Sequence, residues 1–260
     1  MHWSHQRVVV TTSQSSPNFS SLTNFSSPLQ AFKQSLKDCR VQNNQVRQSV
    51  LEEIVVEKVH PSVNSKAKRL LDILGAIVGL AITAIILIPL SILIQLDNPG
   101  PVLYSQIRCG YKGKPFRIWK FRSMVKDADK LKHLVNNEAQ GLIFKNENDP
   151  RITRVGGFMR RTSLDELPQF WNVLMGDMSL VGTRPPTVSE VMQYKRYHWQ
   201  RLNVKPGITG EWQANGRSYV KDFEKIVKMD LIYQERWSVG YDIKLIFKTI
   251  SAVITRDGAY

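Results

Sequence analysis

Cysteine is scarce in this 260-residue chain. Cys39 and Cys109 are the only two, and they stand too far apart for a disulfide framework or a metal-ligand spacing. That excludes a disulfide-stapled secreted scaffold and fits a reducing compartment. Acidic residues are also in deficit. Against 36 Lys and Arg there are 22 Asp and Glu, which leaves a formal charge of +14. Such a balance suits nucleic acid, anionic lipid or phosphorylated substrates. A cleavable leader is not expected either, because the apolar core of MHWSHQRVVVTTSQ is only Val8, Val9 and Val10. Long apolar runs are absent with one exception.

The exception is LLDILGAIVGLAITAIILIPLSILIQL, from Leu70 to Leu96. Its one charge is Asp72, and Pro89 interrupts it toward the far end. At about 1.5 Å per residue it is long enough to cross a hydrocarbon core of roughly 30 Å. Yet both flanks are basic: Lys66, Lys68 and Arg69 before it, Arg108, Lys112, Lys114, Arg117, Lys120 and Arg122 after it. A plain crossing concentrates basic residues on one side. The arrangement favours a hairpin that turns back inside the bilayer at Pro89, with the Ser91 hydroxyl as a local partner for freed backbone. A straight span comes second, and a buried soluble helix well behind.

The organisation expected around that run has three parts. Residues 1–62 are rich in Ser, Thr, Asn and Gln, with NFSS at Asn18–Ser21 repeated at Asn24–Ser27, and read as a flexible polar tail. LEEIVVEKV (51–59) is open between strand and helix. Residues 63–97 are the membrane segment, and 98–260 a domain. Within the domain, Val102–Tyr104 and Phe116–Phe121 read as strands around the loop CGYKGKP, whose glycines suit a hairpin turn better than a phosphate cradle. Met124–Gln140, Gln169–Leu174, Val188–Leu202, Phe223–Trp237 and Tyr241–Ile254 read as helices, and Lys205–Gly210 as a turn. The helix with Tyr194, Tyr197 and Trp199, and the last one with Ile243, Phe247, Ile250 and Ile254, are amphipathic. Each is open between core packing and docking at a membrane interface.

The chemistry gathers at SLDELP, 163–168. Asp165 and Glu166 are adjacent carboxylates, and Pro168 requires a helix to start at about Asp165–Leu167. Ser163 and Glu166 fit a capping box, and Asp165 is a good N-cap. The competing reading is catalytic: one carboxylate attacks phosphorus, and its neighbour holds Mg²⁺. Lys120, Arg122, Arg160, Arg161 and Arg184 flank the pair in sequence, and guanidinium groups suit phosphate.

KFRSM (120–124), SLDELPQFWNV (163–173), GDMSLVGTRP (176–185) and KPGITG (205–210) together resemble the bacterial sugar transferase family, the monotopic phosphoglycosyl transferases, over about 66–260. The resemblance implies an α+β, mainly helical fold. It comprises a re-entrant membrane helix-break-helix and a small cytosolic catalytic domain with interfacial amphipathic helices and a short β-hairpin. It implies transfer of a sugar-1-phosphate from a UDP-sugar to undecaprenyl phosphate with Mg²⁺, through an aspartyl phosphosugar, at the cytoplasmic face of a bacterial inner membrane.

Residue by residue, the resemblance makes Asp165 the nucleophile, Glu166 the Mg²⁺ ligand, and Lys120, Arg160 and Arg184 phosphate binders; Arg122 is a phosphate-binding candidate as a cation flanking the pair. Arg217, in WQANGRS, becomes a position near the nucleotide, and Pro89 the helix break. The ending RDGAY (256–260) resembles the branch that primes exopolysaccharide or O-antigen synthesis with glucose or galactose. Thr183 departs from the family, which often has Pro there, and that questions the loop's rigidity. The large members of that branch also carry further spans where this chain has a polar tail. The alternative function is a non-catalytic basic membrane anchor that recruits partners in polysaccharide assembly. Expected partners are the UDP-sugar, undecaprenyl phosphate and the lipid bilayer, with a homodimer left open. Nucleic acid, supported by charge alone, is not expected.

Overall fold

A computed structural model of the chain describes residues 59–216 and 220–255. Most of the expected polar tail and of the 51–59 segment lies outside them. The chain is described from a single helical turn, α1 (Pro61–Asn64), which leads into α2 (Lys66–Asp97), 32 residues long. Ser65 caps α2 by accepting from the Lys68 N–H at 3.2 Å. Among the described residues α2 is the one helix long and apolar enough to cross a membrane.

One stripe of α2 is covered along its whole length. Lys68, Asp72, Ala76, Gly79, Leu90 and Ile94 are buried, and half-buried Thr83 and Ile86 fill the gap between them. These positions recur every three or four residues, as one helix face must. On the other side Leu74, Val78, Ile85, Ile88, Ile92 and Leu96 are exposed. Gly79 is required by close approach: a side chain there would run into the Phe170 ring.

The break expected at Pro89 does not end the helix, which continues as one element to Asp97. Proline removes the bond to the Ile85 carbonyl. The Ser91 hydroxyl does find a backbone partner, but it is Leu87 O at 2.5 Å.

The rest packs around this stripe. Strands β1 (Leu103–Cys109) and β2 (Pro115–Phe121) form the expected hairpin, each longer than the sequence suggested, in antiparallel register with Tyr104 opposite Lys120 and Arg108 opposite Phe116. Helix α3 (Arg154–Arg161) precedes a 3-10 turn (Leu164–Gln169) and α4 (Phe170–Met175). Gly176 closes α4 at φ 87°, a conformation suited to glycine. Strand β3 (Ser179–Val181) follows, then the short α5 (Val188–Val191). Next come β4 (Gly207–Thr209), α6 (Glu211–Gly216), α7 (Phe223–Arg236) and α8 (Val239–Thr255). The main core joins Ala76 of α2 to Phe116, Ile118, Val173, Met178, Val181, Tyr233 and Leu245.

Three expectations are corrected. Met124–Gln140 is no helix: Met124 bridges to Ile152, Val125 N–H donates to Arg151 O, and only Lys132–Leu134 coils, as a 3-10 turn. Val188–Leu202 splits into α5 and a 3-10 helix, Arg196–Asn203. There the His198 ring accepts from the Lys195 N–H at 3.0 Å and takes the capping role. The turn expected at Lys205–Gly210 is β4, paired in parallel with β3. In the first and third cases long-range pairing overrides local preference.

Polar side chains fasten the N-terminal end of α2. Lys68 Nζ lies 2.6 Å from Asp242 Oδ2 and donates to Val181 O at 2.9 Å. Asp242 also accepts from Tyr233 Oη at 2.8 Å and Trp237 Nε1 at 3.1 Å. Asp72, the lone charge of the apolar run, accepts from Ser179 Oγ at 2.8 Å and Leu180 N at 2.9 Å. Lys68→Met is expected to cost about 3–5 kcal/mol, because it strands a buried carboxylate. Lys68→Met with Asp242→Leu should recover part of that loss, as read by unfolding in detergent.

His198 supplies a pH dependence. Burial first, then the charges of Lys195 and Arg201, lower its pKa. An unfolded histidine titrates near ~6.5, so below that pH the unfolded chain takes up a proton that the folded one refuses. Stability is therefore expected to be full above about pH 6.5 and to fall as the pH drops toward the folded pKa. His198→Gln should flatten that part of the stability–pH curve.

Candidate active site

The acidic couple sits on the 3-10 turn rather than at the first turn of an α-helix. Ser163 enters it at φ 56°, a left-handed conformation uncommon outside glycine, and makes no side-chain cap. The expected capping box is therefore not formed. Glu166 N–H donates to Ser163 O at 3.2 Å. Tight 3-10 winding also accommodates Pro168, which needs no N–H there, before α4 begins.

The turn rests on the apolar helix. Thr83 Oγ1 of α2 donates to Leu167 O at 3.3 Å, and Phe170 lies on Gly79. Leu164 and Leu167 pack against the cluster of Leu90, Ile94, Phe121 and Met159. Asp165 is 5% exposed. Glu166 is more open, at 28% for its side chain, and meets Lys120 Nζ at 2.7 Å.

The expected cations are placed differently from one another. Lys120 reaches the pair from β2. Arg160 Nε donates to Ser123 Oγ at 3.1 Å, and its charge acts on Asp149. Burial alone would raise the Asp149 carboxyl, but the hydrogen bonds and charge of Arg151 hold it below the usual carboxylate range. Arg122 is buried and turned to the end of α2, where Nη1 donates to Asn98 Oδ1 at 3.0 Å and Nη2 to Asn98 O. Arg184 leaves β3 in the loop 182–186, its guanidinium 5.9 Å from the Trp212 ring centroid. Thr183 beside it is buried and donates to Arg201 O at 3.1 Å, so the departure from proline keeps a fixed loop. Arg217 lies outside the described residues.

Arg108 was read only as a flanking charge. Its guanidinium lies close enough to Arg184, Glu190 and Glu166 to feel all three charges. Burial, and then the like charge of Arg184, pull its pKa down to about 10. The signal was in the alternation of the strand, since Tyr104 and Arg108 share a face with their cross-strand partners Lys120 and Phe116. Ending the strand at Tyr104 hid it.

Residues 63–256 match the family model described as bacterial sugar transferase. The chain belongs to that family.

Its relatives sharpen the context. The chain is 54% identical over 195 residues to the galactosyl transferase CpsE of Streptococcus agalactiae serotype III (strain NEM316), across 74% of this chain and 43% of that protein. It is 44% identical over 206 residues to the UDP-glucose:undecaprenyl-phosphate glucose-1-phosphate transferase of Escherichia coli (strain K12), across 76% of this chain and 42% of that one. The sugar transferase EpsL of Bacillus subtilis (strain 168), of uncharacterized function, is 37% identical over 191 residues, 74% of this chain and 89% of EpsL. The chain thus spans less than half the length of the first two relatives.

Two of the cations can be separated by stability. Arg122→Lys loses a two-pronged hold on Asn98 and is expected to destabilise by about 1–3 kcal/mol. Lys120→Gln removes a partly exposed pair worth about 1 kcal/mol or less. Unfolding midpoints of the two variants in one detergent check the order.

Proposed function

We propose that the protein transfers a sugar-1-phosphate from a UDP-sugar to undecaprenyl phosphate, releasing UMP and priming glycoconjugate or exopolysaccharide assembly. The observation that carries this is the seat of the acidic couple: the turn bearing Asp165 and Glu166 is packed on the middle of the apolar helix through Thr83 and Leu167. A lipid phosphate and a soluble nucleotide sugar must meet at such a place. Support also comes from a relative named as a UDP-glucose:undecaprenyl-phosphate glucose-1-phosphate transferase and another named as an undecaprenyl-phosphate galactose phosphotransferase.

The proposed reaction has two steps. An Asp165 carboxylate oxygen attacks the sugar-bearing phosphorus of the UDP-sugar; the phosphorus–oxygen bond to the inner phosphate breaks and UMP leaves. A phosphate oxygen of undecaprenyl phosphate then attacks the same phosphorus. That restores Asp165 and yields the polyprenyl diphosphate sugar. The chain's contribution is positioning and charge neutralisation, with Lys120, Arg160 and Arg184 supplying cations. No cluster of three or more His, Cys, Asp or Glu suited to a metal occurs among the described residues. Two adjacent carboxylates suit Mg²⁺, which takes its other ligands from substrate phosphates and water, and Glu166 would hold it. Bound there, the ion would offset phosphate charge.

The same reading places α2 in one leaflet, with both ends on the cytoplasmic side of a bacterial inner membrane. Support comes from both ends being tied to the same domain: Lys68 to Asp242 at one, Asp97 Oδ2 accepting from Val155 N at 2.9 Å at the other. The outer face of α2, Trp171 and Met175 of α4, and Phe247, Ile250 and Ile254 of α8 are exposed and apolar, a surface of the kind lipid covers.

Asp165→Asn is expected to abolish UMP release from UDP-glucose or UDP-galactose in the presence of polyprenyl phosphate, while leaving liposome flotation unchanged. Persistent UMP release would remove Asp165 from the nucleophile's role. Flotation without UMP release by the wild type, for any UDP-sugar, would leave a membrane anchor.

A further inference from the structure

Arg108 holds a donor that nothing among the described residues answers. Nη1 donates to Pro185 O at 3.1 Å, which fixes the guanidinium against the loop 182–186. Nε is buried and has no hydrogen-bond partner among the described residues. A buried, charged N–H without an acceptor is costly, so such groups call for a ligand. Strand and loop are locked together: Cys109 N–H donates to Pro186 O at 2.9 Å, and Arg108 bridges to Thr187. That lock sets Arg108 beside Arg184, a second guanidinium of the same loop, on the hairpin face that carries Lys120 to Glu166. Two like charges held together beside an unsatisfied donor suit a phosphate oxygen as their acceptor.

We propose that Arg108 and Arg184 form a two-guanidinium clamp on one phosphate group, with Arg108 Nε donating to a phosphate oxygen. This rests on the transferase reading above, which supplies two phosphate sources: the diphosphate of the nucleotide sugar and the headgroup of the polyprenyl phosphate. The clamp specifies a role for a β1 residue, while the nucleophile and Lys120 keep theirs. Because Nη1 is engaged with Pro185 O, Lys cannot substitute: one ammonium does not serve both a carbonyl and a phosphate in the same fixed fork.

The test uses the full chain in detergent, with Arg108→Gln and Arg108→Lys beside the wild type. UDP and inorganic pyrophosphate binding are read by calorimetry and by the ligand-induced rise in Tm. Arg108→Gln is expected to weaken binding of either by roughly 10- to 100-fold, the range of a charge-assisted hydrogen bond, and Arg108→Lys to regain only part. KM values for the UDP-sugar and for the polyprenyl phosphate, measured separately, assign the phosphate: the one that rises names the source. A purely structural role would lower Tm while leaving the ligand-induced increment and both KM values as in the wild type, and that result overturns the clamp. So does a wild type that binds neither UDP nor pyrophosphate. A wild type that binds UDP through Arg108 but releases no UMP keeps the clamp and rejects the transferase reading. UMP release that is indifferent to Arg108 does the reverse.

Discussion

One stripe of a 32-residue apolar helix is the constraint on which everything else rests. Every third or fourth residue of α2, from Lys68 to Ile94, is claimed by the domain. The two ends are claimed by polar groups and the middle by close apolar packing. Lys68, just before the apolar run, and Asp72, inside it, can be buried only because partners are already in place on α8 and β3. A buried ion removed from such a network leaves its partner uncompensated, which makes the N-terminal end of α2 a cooperative unit with the last two helices.

From that spine the site is assembled at second hand. The helix fixes α4 and the 3-10 turn, and the turn carries Asp165 and Glu166. The hairpin then brings Lys120 to Glu166, and the pairing of β1 with the loop 182–186 brings Arg108 to Arg184. The acidic turn and the long apolar helix are therefore one mechanical part, and moving the helix would move the acidic couple. The sheets beside them are modest, with two strands in each.

The basic excess also acquires divided duties. Arg122 is spent on the end of α2, and Arg201 on Asp230 at 2.7 Å inside the domain. Lys120 reaches Glu166 on the acidic turn, and Arg108 feels the charges of both Glu166 and Arg184. Net charge therefore states an affinity for anions without saying which cations express it.

The sequence by itself determined the apolar helix, the hairpin, the last two helices and the acidic couple, because each is written in local periodicity or in a contiguous motif. It also determined the family. Only the tertiary structure decided that α2 passes through Pro89 as one helix, that 124–140 is not helical, and that 207–209 is a strand in a parallel pair. It alone turned Arg122 toward Asn98 and Arg108 toward the loop 182–186. The physical reason is the same throughout. A side chain's identity limits what it can bond to, but partners more than seventy residues away, such as Pro185 for Arg108 or Asp242 for Lys68, are chosen by packing.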